Sequence, residues 1–91
     1  MEVYFVFMNF DPVYERLQGN SRSKKGKEVL DAYLNSKHDK LLAELLQPNT
    51  YRKRSSLAIV DGFAVEITRE QAAILRSAKE VRLVEKNQEF A

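Results

Sequence analysis

The side chains with the greatest potential for chemistry in this sequence are one imidazole and two adjacent hydroxyls. His38 is the only histidine and stands beside Asp39, whereas Ser55 and Ser56 lie further along the chain. A serine hydrolase needs a serine, a histidine and a carboxylate held together, with the serine on a sharp glycine-flanked turn. Nothing of that kind is visible along the chain, so the sequence predicts no catalytic residue. For His38 it predicts a structural or surface role, with a pH-sensitive contact as the alternative.

Metal ions and cofactors are not indicated either. The chain has no cysteine and a single histidine, which leaves no disulfide, no thiolate chemistry and no His/Cys cluster of the kind that binds zinc. The three glycines, Gly19, Gly26 and Gly62, are scattered and form no phosphate-binding loop. The sequence therefore predicts no metal and no cofactor.

Length and charge favour one small domain over residues 1–91 without a strongly charged surface. Fifteen Lys and Arg oppose thirteen Asp and Glu, a net charge of +2, which is weak for a dedicated nucleic-acid or membrane-surface binder. The longest apolar stretch, residues 3–8, is far shorter than the roughly 20 residues needed to span a bilayer. We expect a monomer when the chain is free, with neither nucleic acid nor membrane as partner.

One pattern does point toward RNA. Residues 61–65, Asp-Gly-Phe-Ala-Val, are similar to the basic-Gly-aromatic-small-aromatic strand of RNA-recognition modules. Asp61 stands where a basic residue should meet phosphate, and Val65 stands where an aromatic ring should stack on a base. An RNA-binding or regulatory module is therefore the less favoured alternative.

The first half of the chain is predicted to contain a strand, a loop and a helix. Residues 3–8 are apolar on both parities, which is typical of a central strand covered on both faces. Residues 9–26 contain Pro12, glycine and a basic run, which favours a long loop. Apolar residues then recur at helical spacing over about 27–46, and Pro48 follows the end of this helix.

The second half is predicted to contain a hairpin, a helix and a last strand. A strand within 51–60 leads through a tight Asp61-Gly62 turn into a strand at 63–67. Thr68 and Gln71 form the capping pair that starts a helix, which runs to about Ala78. A strand at 81–84 and a polar, extended tail at 85–91 complete the chain.

The predicted fold class is α+β. The order βαββαβ is typical of a ferredoxin-like fold, in which a four-stranded antiparallel sheet carries two helices on one face. In the third strand Phe63, Val65 and Ile67 are expected to face the core, because side chains alternate along a strand. Ala64 and Glu66 then point to the other face, which is open to solvent or to a partner.

Several segments together resemble the propeptides of subtilisin-like serine proteases, the inhibitor I9 family, and their plant branch in particular. The first strand is similar to the family's Tyr-Ile-Val-Tyr-Met strand, and the first helix to its His-x-x-Leu-Leu signature. The hairpin is similar to Asn-Gly-Phe-Ala-Ala-x-Leu-Thr, with Asp61 in place of the usual Asn. The Glu-Ala-x-x-Leu helix and the Val-x-x-Val strand follow in the family's order. The matching segments are residues 4–8, 37–42, 61–68, 70–75 and 81–84.

This resemblance implies a partner and a site. The open sheet face would dock on two surface helices of the protease catalytic domain, and the tail would bind along its substrate cleft as an added strand. On this basis Ala64, Glu66 and Val84 are the expected docking residues, and Glu66 would cap a protease helix N-terminus. The expected cleft-binding residues are Asn87, Gln88, Glu89, Phe90 and Ala91.

The resemblance also implies a role that is not catalytic. The domain would inhibit the protease and act as an intramolecular chaperone, because binding the native state stabilises it. The expected context is a secreted precursor that enters the secretory pathway and whose larger part is a serine endopeptidase. A free-standing subtilase inhibitor is the alternative.

Overall fold

A computed structural model describes residues 1–88 of the chain. It contains four strands and three helices over these residues. In chain order they are β1 (Glu2–Met8), α1 (Pro12–Gly19), α2 (Lys24–Leu45), β2 (Arg52–Leu57), β3 (Gly62–Ile67), α3 (Arg69–Arg76) and β4 (Val81–Lys86).

The four strands form one antiparallel sheet in the order β2-β3-β1-β4. The first strand is central, as predicted, and it pairs with β3 from Glu2↔Ile67 to Phe7↔Gly62. The expectation that both of its faces are covered is wrong, because Val3, Phe5 and Phe7 on one face are partly exposed. This order and the two crossover connections are those of a ferredoxin-like α+β fold, so the predicted fold class is confirmed.

The main core lies between the inner face of the sheet and the helices α2 and α3. Val6, Phe63 and Ile67 point to this face and are fully buried, as strand alternation predicts. Ala72 and Leu75 of α3 are also fully buried. Thr68 and Gln71 form the predicted capping box, with Gln71 Oε1 accepting from the Thr68 N–H at 2.9 Å.

The predicted loop at residues 9–26 is wrong, because the structure has a helix in it. Asp11 is the N-cap of α1, and its carboxylate accepts a hydrogen bond from the Val13 N–H at 2.9 Å. Pro12 occupies the first turn, where its missing N–H costs nothing and its fixed φ suits a helix. Asp11 and Pro12 together are thus a helix start, whereas Pro12 alone resembles a helix breaker. Tyr14 and Leu17 then pack against Leu30 and Leu34 of α2 in a second, smaller apolar cluster.

The β2–β3 connection also differs from the prediction. The second strand ends at Leu57, and the turn occupies residues 58–61, so that Gly62 already belongs to β3. Asp61 closes the turn with a φ of 45°, a left-handed conformation that Asn and Asp tolerate better than most residues. The apolar residues at 59 and 60 therefore lie in a turn instead of a strand.

No helix within residues 1–88 is both long and apolar enough to cross a membrane.

Candidate functional site

The outer face of the sheet, opposite α2 and α3, carries an apolar strip. Val3, Phe5 and Phe7 alternate with the buried residues of β1 and are partly exposed. Leu83 pairs with Phe7 across β1 and β4 and is 40% exposed. The Arg82 guanidinium lies 5.8 Å from the centre of the Phe7 ring, within reach of a cation–π interaction. Aromatic and aliphatic side chains at this exposure suit a protein-binding surface.

Two of the predicted docking residues do lie on this outer face. Ala64 pairs with Phe5 on one side and Ser55 on the other. It is only 7% exposed, because a small side chain between two strands reaches little solvent. Glu66 is half-buried and pairs with Val3 and Arg52.

The prediction that Val84 lies on the outer face is wrong. It is 4% exposed and belongs to the main core, so it faces the helices. The reason is an irregularity in the β1–β4 pairing, where Val84 opposes Val6 but Val81 opposes Met8. One extra residue in β4 at this β-bulge reverses the alternation. Val81 and Val84 therefore both point inward, three residues apart, and Leu83 takes the outward position.

The tail predicted for residues 85–91 begins later in the structure, because Glu85 and Lys86 belong to β4 and pair with β1. It leaves the sheet at the end where β1 starts. The Asn87 N–H donates to the Val3 carbonyl at 2.9 Å, so that backbone pairing continues one residue beyond β4. Asn87 and Gln88 line a surface groove together with Glu66 and Val3. The structure thus brings one predicted docking residue and two predicted cleft-binding residues to the same end of the sheet. Glu89, Phe90 and Ala91 lie outside the described residues.

His38 lies at the centre of a buried polar network that the sequence did not reveal. Its side chain is fully buried, with Nδ1 2.8 Å from the Ser56 hydroxyl and Nε2 2.9 Å from Asp61 Oδ1. A carboxylate only accepts hydrogen bonds, so Nε2 carries a proton. The ring also stacks at a tilt on Phe63, with centroids 4.8 Å apart.

A serine, a histidine and an aspartate are thus in contact, but in an arrangement unlike a hydrolytic triad. In a triad the serine meets Nε2 and the aspartate meets Nδ1, whereas here Ser56 meets Nδ1 and Asp61 meets Nε2. The imidazole has no exposed surface from which to serve a substrate. The arrangement supports a structural role for His38, and a pH-sensitive role stays a prediction.

Lys37 extends this network to α1. Its ammonium lies 2.6 Å from Asp61 Oδ2 and 2.9 Å from Asp11 Oδ2, and the Tyr33 hydroxyl donates to the same Asp11 oxygen at 2.5 Å. One cation therefore joins two carboxylates from separate parts of the chain. The Tyr14 hydroxyl adds a further link by donating to the Ala58 carbonyl at 2.5 Å.

The network shifts the pKa of each acidic partner. Burial alone would raise the pKa of Asp11, but hydrogen bonds from Tyr33, Lys37 and the Val13 N–H outweigh it and lower the pKa to about 2. Burial likewise opposes ionisation of Asp61, yet hydrogen bonds from His38 and Lys37 keep its pKa below the usual value. Burial and the Asp11 carboxylate raise the pKa of Tyr33 to about 12.

One sequence signal could have revealed part of this network. Tyr33 and Lys37 are four residues apart, which places them on one helix face. The spacing does not show that Asp11 and Asp61 both contact Lys37 on that face.

The chemistry available elsewhere is limited. Within residues 1–88 no group of three His, Cys, Asp or Glu side chains is arranged to hold a metal ion. On the outer sheet face Gly62, Ala64 and Glu66 are the outward residues of β3. None is aromatic, so β3 lacks the base-stacking ring that an RNA-recognition sheet presents beside its first strand.

The described residues form a small ferredoxin-like α+β domain with partly exposed apolar side chains on its outer sheet face. The family model for peptidase inhibitor I9 matches residues 15–91, and the chain belongs to this family. It is 31% identical to the Subtilisin-like protease SBT2.5 of Arabidopsis thaliana over 101 aligned positions, which cover 94% of the chain. The resemblance to plant subtilase propeptides is thereby confirmed. The chain spans 12% of that relative's length. No solved structure matches the chain significantly.

Proposed function

We propose that the chain is the propeptide of a subtilisin-like serine protease, which inhibits the catalytic domain and assists its folding. The observation that carries the proposal is the partly exposed apolar strip on the outer sheet face of an I9 domain. Docking this strip removes Phe5, Phe7 and Leu83 from water, which is favourable by about 25 cal/mol for each Å² of apolar surface. The catalytic domain is the proposed partner, and secretion within a larger precursor is the proposed context.

The tail would provide the inhibitory contact. Pairing with β1 fixes the chain direction up to Asn87, and the residues that follow would bind the substrate cleft as an added strand through backbone hydrogen bonds. Glu66 lies near the start of the tail and carries a charge that would stabilise a helix N-terminus of the catalytic domain. The tail in the substrate cleft would inhibit the protease in the way that a bound cleavage product does, by blocking access of the substrate.

Assistance in folding follows from the same binding. A domain that binds only the native catalytic domain shifts the folding equilibrium toward that state. The same residues would therefore act in both roles, and a variant that loses inhibition should also lose assistance in refolding. A free-standing inhibitor would use the same surfaces, so the proposal does not depend on covalent linkage.

Inhibition of a plant subtilase tests the proposal. The catalytic domain of the Arabidopsis protease SBT2.5 is the probe, with bacterial subtilisin as a second enzyme and hydrolysis of a chromogenic peptide as the readout. Leu83→Glu should weaken inhibition at least tenfold. Ile74→Glu on α3 is the matched control, because Ile74 is 43% exposed and Leu83 is 40% exposed, but only Leu83 lies on the outer face. A folded wild-type chain that inhibits neither enzyme would refute the proposal.

Shortening the tail provides the second test. A chain that ends at Asn87 keeps the hydrogen bond to Val3, so its urea unfolding midpoint should match that of the full chain. Its inhibition constant should nevertheless rise at least tenfold. Parallel losses of stability and inhibition would instead assign residues 88–91 to the fold.

A further inference from the structure

The β2–β3 turn exposes apolar side chains that the proposed docking does not use. Ile59 is 85% exposed and Val60 is 44% exposed. Phe10, which follows β1 and is 79% exposed, lines the same surface groove. These three residues form what we call the turn patch. It lies at the end of the sheet opposite the tail, because β1 runs from the tail toward it.

The backbone beneath the turn patch is held on both sides. Before Ile59, the Ala58 carbonyl accepts the Tyr14 hydroxyl at 2.5 Å. After Val60, the carboxylate of Asp61 is bound by His38 and Lys37 at 2.9 and 2.6 Å. The Asp61 carbonyl also accepts the Met8 N–H at 3.0 Å. Two solvent-facing apolar side chains thus stand between two anchored residues.

The turn combines a strained backbone at Asp61 with apolar side chains that add little to the stability of the isolated domain. Asp61 has a positive φ, which is unfavourable for a residue other than glycine, and Lys37 and Asp61 give up most of their hydration. Ile59 contributes almost no buried surface in return. A fixed backbone does, however, reduce the conformational entropy lost on binding. The geometry is therefore that of a preorganised contact.

The turn patch is continuous with the outer sheet face. Leu57, an outward residue paired with Gly62, immediately precedes the turn. Arg82 lines the groove beside Phe10, Ile59 and Val60, and its guanidinium reaches the Phe7 ring of the outer face. A protein that docks on the outer face could therefore contact the turn patch as well through a short protruding segment.

We infer that the turn patch is a second anchor for the same catalytic domain, which adjoins the outer sheet face and lies at the opposite end of the sheet from the tail. This inference rests on the proposed function. The occupant is expected to be an apolar depression, since the groove contains three exposed apolar side chains. Charges of both signs, those of Glu15 and Arg82, lie beside them, so the contact is expected to depend mainly on apolar surface. A catalytic domain is large enough to provide it, because a precursor like the Arabidopsis relative has most of its length outside the region matched here.

The test compares two pairs of substitutions at exposed apolar positions. Ile59→Ser with Val60→Ser removes the turn patch, and Ile74→Ser with Val29→Ser removes side chains that are 43% and 46% exposed on the helices. The inhibition constant is measured with the SBT2.5 catalytic domain and with subtilisin. The turn-patch pair should raise it about tenfold with at least one enzyme, while the helix pair should change it less than twofold. Urea unfolding confirms that both variants remain folded.

Each outcome decides the inference. If the turn-patch pair unfolds, Phe10→Ser replaces it, since Phe10 lies outside the turn and should produce a similar loss. If the wild-type chain inhibits and neither turn-patch variant weakens it, the inference is overturned and the proposed function stands. If the wild-type chain inhibits neither enzyme, the inference and the proposed function are both overturned. Sedimentation that shows a wild-type dimer and a turn-patch monomer, with unchanged inhibition, would make the patch a self-association surface and overturn the inference.

Discussion

The two ends of the sheet are held by charges in opposite environments. At the turn end, where β1 finishes, Asp61 is bound by His38 and Lys37, and its side chain is 5% exposed. At the tail end, where β1 begins, Lys86 and Glu2 form an ion pair at 2.6 Å with side chains 48% and 53% exposed. Water screens an exposed pair, and its net contribution is small. Removing one partner of a buried pair leaves an uncompensated charge in a medium of low dielectric constant.

The difference shows how one small domain can present two kinds of binding surface, a rigid turn at one end of the sheet and an extended tail at the other. At the turn end the buried network holds the backbone of Ala58 and Asp61 in place, which suits preformed side-chain contacts. At the tail end backbone pairing with β1 reaches Asn87, which is where the proposed cleft-binding segment begins. Three tests of this contrast follow, ordered by the size of the expected effect.

Asp61→Ala should produce the largest loss of stability. Lys37 keeps Asp11 as a partner, but the buried His38 Nε2–H loses its acceptor, which costs about 1–3 kcal/mol. Alanine in the left-handed conformation of position 61 adds roughly 1–2 kcal/mol. Urea unfolding followed by circular dichroism measures the change. Lys86→Ala at the tail end is the control and should leave the midpoint unchanged. Equal effects of the two substitutions would contradict the contrast between the ends.

Gly62→Ala should have the next largest effect. A Cβ at this position would lie 2.6 Å from the Val6 carbonyl oxygen, so β1 and β3 would have to separate at the turn end. Overpacking of this kind costs about 1–3 kcal/mol. Gly19→Ala is the matched control, because a Cβ there meets no atom within 4 Å and alanine favours a helix. Thermal melts should show a lower midpoint for Gly62→Ala alone.

Acid should weaken the turn end gradually. The pKa of Asp11 is about 2 in the folded chain and 3.8 without the fold, and the pKa of Asp61 is lowered in the same sense. A group with a depressed pKa stabilises the native state above its unfolded pKa, and this contribution disappears as pH falls through the folded value. The urea midpoint should therefore fall between about pH 4 and pH 2.

Asp61→Asn separates this acid effect from other titrations. The variant should be less stable at pH 7 but should lose less stability on acidification, because one of the two carboxylates no longer titrates. An unchanged slope of stability against pH would assign the acid sensitivity elsewhere in the chain.

The parts of the fold that the sequence predicted are those with a local signal. Alternation in β3 and the Thr68 capping box each depend on residues close in the chain, and both are present in the structure. The helix α1, which the loop prediction omits, also has a local signal, because Asp11 is its N-cap and Pro12 lies in its first turn. The assignment of Val84 to the outer face failed for a different reason, since the bulge in β4 exists only when β4 is paired with β1.

By itself, the sequence determined the fold class and the family, because strand and helix periodicities and the order of the motifs are properties of the chain alone. Tertiary structure decided the buried network, whose contacts join residues far apart in sequence, such as Lys37 with Asp11 and His38 with Asp61. No periodicity encodes which carboxylate meets which cation. That choice follows from packing α1, α2 and the β2–β3 turn together, and it exposes the turn patch at one end of the sheet.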